Sequence, residues 1–160
     1  SALYHRISWR PAVRARWRRI DHSMIFVLIA GTYTPFAALV LSGSTQTVVL
    51  AGVWGGAAAG IVFSLVWVSA PKWLAAAVYV ALGWFSLVAF PQIIDRAGIG
   101  ALALLLGGGV LYTAGALVYA RRRPDPSPAV FGYHEVFHVL VVAAAVAHFV
   151  AVAAFALPAA

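Results

Sequence analysis

His134-Glu135-Val136-Phe137-His138 sets two imidazoles one helical turn apart. Residues four apart share one face of a helix, so both rings can reach a single metal ion. The chain contains no cysteine, so zinc here must be held by His, Asp or Glu. From Val139 to Ala156 the chain is apolar apart from His148, which plants the candidate site at the end of a membrane span. The string matches H-E-x-x-H, a zinc-protease signature in which Glu is the general base. Such proteases need a third ligand, often an acid or a His further along, but no Asp or Glu follows Glu135. His148 lies ten residues on, a rise of about 15 Å, too far to share an ion with His134 and His138. The third ligand must come from another helix.

His5 is the first candidate for that ligand, with Ser1 one turn earlier able to hold or tune it. Asp21 is the second, either as a ligand or as the carboxylate that holds a zinc-bound water. A three-His site with an open fourth position lowers the pKa of its bound water to about 7. A carboxylate beside that water can serve as general base. Each residue also has a plainer reading. His22 at a membrane interface can hydrogen-bond headgroups, and Asp21, after Arg18 and Arg19, can be an N-cap and ion-pair partner. Glu135 lies about 100° round the helix from His134 and can face the loop arginines. His148 can be a packed polar residue at a helix interface, although ionisable groups inside membranes are functional by default.

These residues need a scaffold. Of 160 residues, 64% are hydrophobic and only 9% charged, against about 25% charged in soluble domains. The chain therefore reads as an all-α polytopic membrane protein with a single domain over residues 1–160. A span takes about 20 apolar residues, and five segments qualify: about His22–Leu41, Thr47–Val68, Lys72–Pro91, Ile99–Tyr119 and Tyr133–Leu157. Ser42-Gly43-Ser44, Ala70-Pro71, Gln92–Gly98 and Arg121–Pro128 read as turns and loops between them. Gly52, Gly56 and Gly60 recur every four residues, a pattern that permits close helix contact. Pro35 predicts a kink, with nearby hydroxyls able to satisfy freed carbonyls.

The net charge of +7 is distributed as a topology signal, which argues against nucleic acid as a partner. Arg6, Arg10, Arg14, Arg16, Arg18 and Arg19 precede the first complete span, Lys72 follows the second, and Arg121, Arg122 and Arg123 follow the fourth. All fall on one side, with Arg96 alone opposite. The positive-inside rule makes that side cytoplasmic and sends the C-terminus outside. His5, Asp21, His22, His134 and His138 then fall at similar depth in one leaflet, as a site between helices requires. The arginine-rich loop predicts contact with anionic headgroups.

Ser1-x-x-x-His5, Asp21 sixteen residues later and His134-x-x-x-His138 together resemble the hemolysin III family, the bacterial branch of the progestin and adiponectin receptor (PAQR) superfamily. Supporting strings are Arg18-Arg19-Ile20-Asp21-His22-Ser23, Ala30-Gly31-Thr32-Tyr33-Thr34-Pro35-Phe36, Leu82-Gly83-Trp84 and Phe131-Gly132-Tyr133-His134-Glu135-Val136-Phe137-His138. They run along nearly the whole chain. The resemblance implies a seven-helix bundle in a bacterial inner membrane, of which Ser1–Arg6 ends helix two and five complete helices follow. It implies zinc on His5, His134 and His138, with Asp21 associated with the zinc-bound water and Ser1 as the motif serine. It also implies a zinc-dependent hydrolase of a lipid amide or ester, similar to ceramidases. The alternative is a non-catalytic membrane-homeostasis or pore-forming, haemolytic protein with structural zinc. A pore usually needs a polar stripe along several spans, whereas hydroxyls here are scattered along apolar segments.

Overall fold

The structure is a computed structural model that describes residues 7–67 and 69–159. Among these, four helices are long and apolar enough to cross a membrane: Pro11–Leu39, Gly43–Val66, Lys72–Arg121 and Tyr133–Ala156. Helix α1 (Pro11–Leu39) begins eleven residues before His22, so most of the arginine segment read as a loop is helical. Arginine is a good helix former, and Pro11 in the first turn is pre-set for helical φ. Pro35 sits inside α1, where Thr34 Oγ1 donates to the Ala30 carbonyl (2.9 Å) and Thr32 Oγ1 to the Ile29 carbonyl (2.8 Å). Gly43, at φ 60°, turns the chain into α2 (Gly43–Val66).

The third long helix reverses. Its first arm is α3 (Lys72–Gly83), followed by a 3-10 segment, Trp84–Ala89, and then α4 (Phe90–Arg121). Within α4, Gly98 has φ 81° and ψ 172°, which no helix accommodates and which glycine adopts at little cost. Trp84 Nε1 donates to Thr113 Oγ1 at 2.9 Å. In a straight helix those residues stand about 44 Å apart, so the chain folds back on itself at Gly98. The 3-10 segment is tied to α1 by Tyr33. Its hydroxyl donates to the Gly83 carbonyl and accepts the Ser86 amide at 3.1 Å, satisfying groups that the tighter helix leaves unpaired. At the fold-back end, Arg96 donates to the Val40 carbonyl (3.1 Å) and Gln92 Oε1 accepts the Ser42 amide (3.1 Å).

Helix α5 (Tyr133–Ala151), extended by a π-helical turn over Val152–Ala156, packs mainly along α4. The glycine stripe of α2 forms sockets for large side chains of its neighbours. A Cβ at Gly60 would strike the Phe26 ring, one at Gly56 would lie 2.6 Å from Leu82 Cδ1, and one at Gly52 would strike the Phe85 ring. Phe26 and Val53 are completely buried in this core. Val62, Val110, Val142 and Phe149 are more than half exposed on the outside of the bundle, which suits a hydrocarbon solvent.

Candidate functional site

Helix α5 starts at Tyr133 because two acidic side chains occupy its free amides. Asp125 Oδ1 accepts the Tyr133 amide at 2.8 Å, and Glu135 Oε2 reaches back to the Gly132 amide at 2.9 Å. This is a capping-box arrangement with glycine at the N-cap. It gives Glu135 a structural partner in the Gly132 amide. It also fixes the first turn of α5, from which His134 projects.

His134 and His138 converge. Their Nε2 atoms lie 3.1 Å apart, with the rings nearly perpendicular at 87°. Two nitrogens about 2.0–2.1 Å from a tetrahedral zinc ion are separated by about 3.3 Å. The pair therefore fits one edge of a zinc coordination tetrahedron. The same spacing also allows one ring N–H to donate to the other nitrogen. Among the described residues, no group of three or more His, Asp or Glu is arranged to hold an ion. His5 and Ser1, the remaining members expected from the sequence, lie outside the described residues.

The pair faces a cavity of about 390 Å³. Helix α1 contributes Arg18, Asp21 and His22 to its wall, so the carboxylate and the two metal-type imidazoles share one space despite more than a hundred intervening residues. Tyr79 and Phe137 form part of its inner wall. The rim is made by Lys72 of α3, Tyr119 of α4 and Tyr133 of α5. Lys72 Nζ donates to the Tyr133 hydroxyl at 2.7 Å and stands 4.7 Å from the ring centroids of both Tyr119 and Tyr133. In the sequence Lys72 stands as a topology charge, and Tyr119 and Tyr133 carry no pattern that sets them apart.

A second, narrower cavity of about 130 Å³ continues into the bundle. Ile25, Leu28, Tyr79, Phe137 and Val141 line both, so polar mouth and apolar interior share a wall. His148 borders the inner cavity and not the outer one. Its Nε2 lies 3.2 Å from the Leu105 carbonyl, and its ring meets Tyr112 edge-on at 5.5 Å. The space it occupies exists because position 108 is glycine: a Cβ there would strike the imidazole. His148 is packed at the α4–α5 interface and also borders the inner cavity.

The chain is 32% identical to Hemolysin-3 of Bacillus cereus over 158 residues, covering 99% of this chain and 69% of that protein. It is 35% identical to the Hemolysin-3 homolog of Bacillus subtilis (strain 168) over 130 residues, which is 81% of this chain and 58% of that protein. An adiponectin receptor protein of Drosophila melanogaster is 42% identical over 72 residues, 42% of this chain and 14% of the receptor. No solved structure matches the chain. The sequence profile described as Haemolysin-III related matches residues 1–149, and with these relatives and its apolar helices the chain is a multi-pass membrane protein belonging to the haemolysin-III related family.

Proposed function

We propose that the protein is a zinc-dependent hydrolase of a lipid amide or ester, with its site near the cytoplasmic face of a seven-helix membrane bundle. The observation that carries this reading is the 3.1 Å approach of His134 and His138 Nε2 in a cavity that also holds Asp21. The reversal at Gly98, which turns one long helix into two arms, supports five apolar passes. Arg18, Lys72 and the Arg121–Arg123 end of α4 belong to one end of the bundle, which the positive-inside rule assigns to the cytoplasm.

His134 and His138 would hold the ion, with His5 as the third ligand and Ser1 as the motif serine. When bound, zinc supplies Lewis acidity toward a carbonyl and a water acidic enough to react near neutral pH. Asp21 would accept a proton from an attacking water as the new C–O bond forms. It would return that proton to the departing amine or alcohol as the old bond breaks. Phe137, Tyr79 and Ile25 keep bulk water from the inner cavity, which takes an acyl chain. His22 supports the headgroup side of the same wall.

Metal analysis tests the reading. About one zinc per chain is expected in the full-length protein, and none in the His134→Ala/His138→Ala variant. Asp21→Ala is expected to keep the zinc and lose turnover of a ceramide-like amide. A folded full-length protein without zinc refutes the hydrolase. The name Hemolysin-3 borne by the Bacillus cereus relative supports a second reading, a lytic or membrane-homeostasis protein with structural zinc. Ion flux through reconstituted protein that survives chelation is the result that favours it.

A further inference from the structure

Lys72 is an unusual neighbour for a histidine-carboxylate site. The chain has four acidic residues in all. Asp125 and Glu135 cap α5, and Asp95 lies beside Arg96 at the fold-back end. Among the described residues, the recorded partners of Lys72 are a hydroxyl and two aromatic faces. Two cations, Arg18 and Lys72, and one carboxylate, Asp21, therefore line the outer cavity, leaving an excess of one positive charge before any metal is counted. The aromatic faces stabilise the ammonium without neutralising it. The Tyr133 hydroxyl accepts a hydrogen bond from one of its three N–H groups, and the ammonium has two further donors. Tyr119 and Tyr133 sit on different helices, and together they hold the ammonium beside the cavity.

We infer that Lys72 is the specificity residue of this cavity and that its ligand is a single-chain lipid ending in an oxyanion. The Tyr119–Tyr133 box presents the ammonium to the head, while the inner cavity takes the tail. The inference rests on the hydrolase reading for the cavity's role, but it concerns binding and is measured without turnover. A carboxylate and a phosphate monoester share the chemistry that Lys72 recognises, and the choice of probe separates them.

The test measures equilibrium binding of palmitate, hexadecyl phosphate and neutral hexadecanol to the full-length protein in nanodiscs of uncharged lipid. A charge-assisted hydrogen bond is worth about 1.5–3 kcal/mol, or roughly a tenfold to hundredfold preference for an anionic head. In the His134→Ala/His138→Ala background, where no zinc competes for the head, Lys72→Met is expected to remove most of that preference and leave hexadecanol affinity unchanged, and Lys72→Arg to retain most of it. Tighter palmitate than hexadecyl phosphate identifies a carboxylate ligand, and the reverse order identifies a phosphate. Equal binding of all three probes to the unaltered protein overturns the inference. So does a preference that survives Lys72→Met in the His134→Ala/His138→Ala background. The His134→Ala/His138→Ala variant separates this result from the hydrolase reading: it is expected to lack zinc and still favour the anion. If that variant loses the preference while Lys72→Met keeps it, the metal reads the head and Lys72 does not.

Discussion

Glu135 occupies the general-base position of an H-E-x-x-H string, yet its Oε2 is spent on the Gly132 amide at 2.9 Å. The two roles predict different responses to one pair of substitutions. Gln keeps an acceptor oxygen and can still close the capping box, so Glu135→Gln is expected to hold zinc and turn over within about twofold of the unaltered protein. A general base changed to Gln loses about 10²–10⁴ in rate. Glu135→Ala removes the cap, which costs about 0.5–2 kcal/mol. For a chain of this size 1 kcal/mol corresponds to about 2–4 °C in Tm. Thermal unfolding in detergent, zinc content and hydrolysis of a ceramide-like amide give the three readouts. A hundredfold loss of rate in Glu135→Gln with zinc retained refutes the capping assignment. An unchanged Tm in Glu135→Ala refutes its energetic part.

Other consequences follow from packing. Gly108→Ala drives a methyl into the His148 ring and is expected to cost about 1–3 kcal/mol; adding His148→Ala should recover part of the loss in the same melting assay. Gly98→Ala forces φ 81° and ψ 172° on a residue with a Cβ and is expected to lower stability by about 1–3 kcal/mol. Trp84→Phe and Thr113→Val each break the 2.9 Å bond that reports the reversal at Gly98. Each is expected to cost about 1 kcal/mol, with the double variant costing less than the sum of the two. Full additivity would mean that the two side chains do not meet.

The fold is legible where it depends on composition. Runs of apolar residues about 20 long announce helices, because a bilayer leaves the backbone no partner but itself. Local breakers are less legible. Gln92–Gly98 reads as a loop because Asp95, Arg96 and Gly98 are turn-type residues, yet the chain is helical through Ala97 and departs from helix at Gly98. Arg96 and Gln92 serve the reversal as side chains, by bonding Val40 and Ser42. Nothing in the local sequence shows that those atoms need partners. The arginines before His22 are misread for a similar reason: charge marks where a span ends, and a helix can continue past that boundary into water.

The candidate site divides along the same line. The pairing of His134 with His138 is a helical periodicity, visible in the sequence and realised at 3.1 Å. That Asp21 shares their cavity follows from topology, since both helix ends must lie on one side of the membrane. Lys72 obeys the same topology, and for that reason its second role is hidden. A lysine at a span boundary is fully accounted for by orientation until Tyr119 and Tyr133, 47 and 61 residues away, are seen closing on its ammonium. An orientation signal requires only that a cation remain on the cytoplasmic side, where water or lipid phosphate serves as partner. Confinement between two rings beside a carboxylate and two imidazoles is a stricter condition than orientation imposes. A topology role alone predicts that Arg, Lys or a shifted cation serves equally, whereas this geometry predicts that the charge matters to what the cavity holds.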